Sequence, residues 1–169
     1  MSRLNDIETA LYGVLKGIDG TMQPTGYQYY THTGQVNVIN NALATDRNFD
    51  SRDINHYFLL DSEDNITWDM GQNQYENNAL YTIRSHIALN GSEGNVQESA
   101  KRICNNVQSD IKHALGTHYT LGGECSWVRY LSSIVEYSTN GSVVTSATLV
   151  STIEIRYTQQ ISNPNIQAC

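Results

Sequence analysis

The sequence predicts an α+β fold: a mostly antiparallel β-sheet with two α-helices packed on one face and long extended loops. Three observations carry this expectation. Residues 4–18 and 96–115 place apolar side chains at three- and four-residue spacing, residues 80–90 alternate, and Asn140-Gly141 separates two β-rich runs.

The first helix is read from Leu4, Ile7, Leu11, Val14 or Leu15, and Ile18, which form one apolar stripe. Asp6 and Glu8 lie near its start, Lys16 near its end and Gly17 just beyond, so the charges suit the helix dipole and the glycine suits a stop. Residues 20–54 have no strong periodicity and carry Pro24, several glycines, the run Tyr27-Gln28-Tyr29-Tyr30 and the short alternating piece Gln35-Val36-Asn37-Val38. A stretch this long is usually a functional loop or an edge-strand excursion, and we read it as an extended arm. Residues 56–60 are a compact apolar strand, and 61–78 read as a second polar loop holding Trp68, Met70 and Tyr75. Then Tyr81, Ile83, Ser85, Ile87 and Leu89 point one way while Thr82, Arg84, His86 and Asn90 point the other, the pattern of a half-buried antiparallel strand.

Asn90-Gly91 and Gly94 break the chain, after which Val96, Ala100, Ile103, Val107, Ile111 and Leu115 restore helical spacing until Gly116. A helix of about 20 residues rising about 1.5 Å per residue can cross a whole sheet. Beyond Gly122-Gly123, residues 127–137 and 143–157 make two strands joined by Thr139-Asn140-Gly141-Ser142, where Asn-Gly favours a type I′ turn. In the last strand Val143, Ala147, Leu149, Ile153, Ile155 and Tyr157 share a face, opposite Ser146, Thr148, Thr152, Glu154 and Arg156. Asn163-Pro164 ends the order and leaves a flexible tail over about 162–169. With 169 residues, one domain over the whole chain is the expectation.

Composition narrows the function classes. Charged residues make up only 16% of the chain, so its surface relies on amides, hydroxyls and 11 tyrosines, groups that desolvate at lower cost than lysine or glutamate and favour assembly. A formal net charge of −7 argues against a grip on nucleic-acid phosphates, which takes clustered Lys and Arg. Cys104, Cys125 and Cys169 are an odd number without CxxC or Cys/His spacing, which fits a reduced compartment and neither a disulfide framework nor a zinc site. No long apolar run or secretory leader is read, so the expectation is a soluble protein without a membrane partner.

No motif carries chemistry. The five histidines have no ligand spacing; His113 and His118 do not share a helical face, and Gly116 lies between them. Asp61, Glu63, Asp64 and Asn65 form an acidic turn without the glycine and closing glutamate of an EF-hand. Cys104 stands beside the apolar stripe of the second helix, as a packing residue rather than a nucleophile. The Asn-X-Ser/Thr triplets at Asn65, Asn90 and Asn140 are turn chemistry. No nucleophile elbow, P-loop, dinucleotide fingerprint or carboxylate pair is present, so neither catalytic residues nor a cofactor is expected. The residues singled out are aromatic or large and lie in segments without core periodicity: Tyr27, Tyr29, Tyr30, Trp68, Met70 and Tyr75, expected at interfaces between subunits or rings.

Three segments give this order of elements a resemblance. They are residues 7–15, Ile-Glu-Thr-Ala-Leu-Tyr-Gly-Val-Leu; residues 109–115, Ser-Asp-Ile-Lys-His-Ala-Leu; and residues 153–157, Ile-Glu-Ile-Arg-Tyr, followed by Asn163-Pro164. In order and spacing the chain resembles the tail terminator and tail completion proteins of long-tailed bacteriophages, though its aromatic arm is long and no proline precedes the strand at His56. The resemblance implies a virion protein, made in the host cytoplasm, that forms a ring, commonly a hexamer, on the last ring of the tail tube. Its partners would be its own copies, the tube protein and the head connector or neck proteins, with DNA passing an acidic lumen unheld. A neck or head-to-tail adaptor is the nearest alternative, and a small-ligand binding module the next.

Overall fold

The computed structural model describes residues 3–18, 22–30, 36–40, 54–67, 74–89 and 96–160. Helix α1 spans Arg3–Lys16, followed by strands β1 (Val36–Asn40), β2 (Ile54–Thr67) and β3 (Gln74–Ala88), helix α2 (Val96–Thr117), a 3-10 turn at Leu121–Gly123, and strands β4 (Trp127–Asn140) and β5 (Val143–Gln160). The strands form one sheet in the order β1-β2-β3-β5-β4. All pairings are antiparallel except β1–β2, which is parallel. The α+β class follows directly, with the two helices on one face of the sheet.

Each helix buries the stripe its spacing predicts. In α1 the buried residues are Ile7, Leu11 and Leu15, so the stripe follows Leu15 and leaves Val14 at its margin. In α2 Ala100, Cys104, Val107, Ile111, Ala114 and Leu115 are buried, and Ile103 packs at the edge. These stripes meet Tyr81, Ile83 and Ile87 of β3 and Leu149, Ile153, Ile155 and Tyr157 of β5 in one continuous cluster. Burial alternates along β3 and along β5 from Ala147 onward, as a sheet with one covered face requires.

Four expectations are corrected. Residues 61–67 and 74–78 are strand rather than loop, because β2 runs on to Thr67 and β3 begins at Gln74, so Asp61, Glu63, Asp64 and Asn65 lie in a strand rather than an acidic turn. Their alternation is hidden because the buried-side residues at this end are themselves polar: Asn77 donates to Gln159 at 2.9 Å and the Tyr157 hydroxyl donates to Glu63. The piece at 36–40, read as part of an extended arm, is a strand, β1, at one edge of the sheet. The β4–β5 turn has Gly141 alone at positive φ, 64°, with Asn140 still in the strand opposite Val143, which is the φ pattern of a type II′ rather than a type I′ turn. Finally, Val143 is exposed and Val144 is buried, because the ladder shifts by one residue between Ser138 and Thr139.

One buried ion ties the helical layer to the rest. Arg3, at the start of α1, reaches Glu124 Oε2 at 2.5 Å and the carbonyls of Gly123 and Glu124 at 3.3 and 2.5 Å. The 3-10 turn can present those carbonyls because Gly122 and Gly123 take positive φ, 72° and 96°.

Candidate assembly interface

The tyrosine run of the predicted arm is held by α2. Asp110, fully buried, accepts hydrogen bonds from the Tyr27 hydroxyl at 3.0 Å and from the Tyr30 backbone N–H at 3.1 Å. One turn further along α2, the His113 ring stacks on Tyr27 at 4.0 Å between centroids, and its Nε2 meets the Thr25 hydroxyl at 3.2 Å. Burial and the neighbouring Asp110 carboxylate raise the Tyr27 pKa, so the phenol stays a donor to that carboxylate.

The six candidate residues therefore separate. Tyr29 is 3% exposed and belongs to the hydrophobic core of this same chain, which removes it from the surface set. No periodicity marks it, since it is buried by docking a non-repetitive segment against α1 and α2. Tyr27 is half-buried between Tyr29, Tyr30 and His113, whereas Tyr30 is 56% exposed and is the arm's outward ring. Tyr75 lies at the other end of the molecule, beside an open cleft of about 350 Å³ that Leu4, Glu63, Asn65, Asn77 and Gln159 also line. Burial pushes the Glu63 carboxyl up from its ordinary range there. Trp68 and Met70 lie outside the described residues.

The most exposed apolar surface lies where no candidate was placed. Among the described residues strand β4 has only β5 as a strand partner, and it exposes Leu131, Ile134, Val135 and Tyr137, with Val143 just past the turn. Ile134 is 62% exposed. A long edge strand with apolar side chains is a ready template for another chain. Its sequence signal was present, an apolar run in a strand placed beside the turn, but edge position is a property of the whole topology.

The sheet face turned away from the helices carries an ionic lattice. Asn78 Nδ2 donates to Glu154 Oε1 at 2.7 Å, Arg129 stands 3.9 Å from Glu154, Arg156 lies 3.6 Å from Glu76, and Arg84 lies 3.7 Å from Glu136. Arg129 and Arg156 both lie over the Trp127 ring, at 5.2 and 5.0 Å. A second open cleft, of about 410 Å³, lies between α1 and the 3-10 turn, floored by Gly13, Gly17 and Leu121 and rimmed by Gln23, Tyr29 and His118.

The buried titratable groups are structural in their surroundings. His56 is fully enclosed, meets Ser85 Oγ at 2.7 Å, and is held by burial at about 4, as a neutral ring. Burial pushes the Cys104 and Cys125 thiols up to about 11 and 12, which keeps both protonated. Among the described residues no three His, Cys, Asp or Glu side chains gather as metal ligands, and no helix is long and apolar enough to cross a membrane.

No protein-family model matches the chain, and no curated protein matches it in sequence.

Proposed function

We propose that this protein is a structural subunit of a virus particle that caps a bacteriophage tail tube as a ring, stops its polymerisation and joins the tail to the head connector. The observation that carries the reading is the apolar strip on β4 and the β4–β5 turn, left exposed by a chain whose helices already cover the other face of the sheet. A capping subunit needs such a surface toward its neighbours, with different faces toward tube and connector; ring closure is a head-to-tail contact repeated about an axis. The ionic face of the sheet offers a second, hydrated surface of the kind a DNA passage tolerates.

Particles assembled without the protein test the proposal. Tails of uncontrolled length, corrected by adding back folded protein without any cofactor, are the expected result. Tails of normal length that are detached from heads would favour a neck adaptor instead, and normal, joined particles would refute both.

A further inference from the structure

We propose that two copies of this chain pair reversibly through β4, edge to edge and antiparallel, about a two-fold axis at Ser133. The strand is complementary to its own reverse. Residues 129–136 read Arg-Tyr-Leu-Ser-Ser-Ile-Val-Glu, so antiparallel self-pairing sets Arg129 opposite Glu136 at both ends and Tyr130 opposite Val135.

Such a palindrome is useful only if matched side chains share a face. In a regular strand, positions 129 and 136 are an odd number apart and would point to opposite sides. Strand β4 is not regular: its ladder with β5 steps from Tyr130–Ile153 to Ser132–Thr152, leaving Leu131 as an extra residue. Past this bulge the phase is restored. Arg129 lies opposite Glu154 and Glu136 opposite Thr148, both on the ionic face, while Tyr130 lies opposite the buried Ile153 and Val135 opposite the buried Leu149. The bulge therefore brings the Arg129–Glu136 pair and the Tyr130–Val135 pair each onto one side of a joint sheet, with Ser133, which lies opposite the buried Ser151, meeting its own copy at the axis.

The edge is open where the pairing needs it. Val128 turns its N–H away from β5 to the Tyr119 carbonyl at 2.7 Å, which closes the first residues of the strand. By alternation Tyr130, and after the bulge Val135, turn their backbone groups outward. The Arg129 and Glu136 side chains are 65% and 53% exposed, and their contacts within the chain are long, 3.9 and 3.7 Å, so both heads can reach across. The charge order identifies the occupant as a second copy, because an unrelated partner would require no symmetry about Ser133.

A two-fold contact closes at two copies and cannot build a ring. It also covers part of the apolar strip that the capping reading uses. Resting on that reading, the dimer is a reserve state that keeps the edge closed until the tail tube favours ring formation; the pairing itself does not depend on it.

Sedimentation equilibrium of the full chain, without tube protein, tests the pairing across a wide concentration range. A monomer–dimer equilibrium is expected, weakened by salt. Glu136→Arg sets like charges opposite each other twice and should weaken it roughly tenfold or more, and Arg129→Glu combined with Glu136→Arg should restore it. Circular dichroism melts confirm that each variant is folded. Should Glu136→Arg not fold, Val135→Pro decides, since it removes an outward N–H without touching the β5 ladder and should abolish the dimer. A monomer at every concentration, unchanged pairing in Glu136→Arg or Val135→Pro, or no recovery in the double variant would overturn the proposal. Normal tail length in particles carrying a pairing-deficient variant leaves the capping reading intact, whereas intact pairing with unaltered tails in the protein's absence refutes only the capping reading.

Discussion

Replacing Asp110 with alanine should release the tyrosine segment from α2 without unfolding the sheet. The carboxylate, itself fully buried, accepts hydrogen bonds from Tyr27 and from the Tyr30 amide. Hydrogen bonds to a charged acceptor contribute about 1.5–3 kcal/mol each, and the Tyr30 N–H would be left without its acceptor, so a loss of about 3 kcal/mol is expected. For a chain of this size each kcal/mol lowers the melting temperature by about 2–4 °C, which gives a fall of roughly 6–12 °C. Alanine's better helix propensity offsets only a fraction of a kcal/mol, about 0.5. The assay is thermal denaturation combined with amide exchange at Tyr30, whose protection should drop. Coupling sharpens it: Tyr27→Phe should cost about 1 kcal/mol in the wild-type chain and nearly nothing in the Asp110→Ala background. An Asp110→Ala protein melting within about 1 °C of wild type, with Tyr30 still protected, would refute the reasoning.

Two further outcomes follow from the burial pattern. Ile111→Asp should prevent soluble folding, since it places an unpaired carboxylate in a fully buried position at a cost of several kcal/mol, whereas Lys112→Asp, exposed one position round the helix, should fall within about 1 kcal/mol of wild type; expression and melts of both variants check this, and equal tolerance would refute the facing of α2. His56 makes stability depend on pH: its folded value of about 4 lies below its ordinary 6.5, so the unfolded chain takes up the proton first, and stability held above pH 6.5 is lost as pH falls toward 4. That loss is about 3 kcal/mol, and urea titrations at pH 7 and pH 4 should show a smaller drop in His56→Gln than in wild type.

What the sequence disclosed follows physical lines. Where a side chain's neighbour in space is set by local period, the residue could be placed: Ile7, Leu11, Ile111 and the alternating run from Tyr81 to Ile87 lie where spacing puts them. Where burial is polar the pattern vanishes, as at Asn77 and Gln159, whose hydrogen bond replaces apolar contact and makes a strand read as loop. Tyr29 was misplaced for another reason, since its burial depends on Asp110 and His113 more than 80 residues away fastening the segment down. The exposed strip on β4 was beyond reach of any local pattern, because Leu131 and Ile134 look like core residues until the strand order shows that β4 is an edge.

The strand order also sets a schedule for synthesis. Strand β5 lies between β3 and β4, pairing with Gln74–Ala88 on one side and with Trp127–Asn140 on the other, yet it leaves the ribosome after both. Until it emerges, β3 has one unpaired edge and the helices have no completed floor, so the apolar faces of Ile83 and Ile111 are open to water and to other nascent chains. A message cut short before codon 143 would therefore yield a product that requires chaperone custody, and the final strand closes the molecule in a single late step that spans the whole sheet.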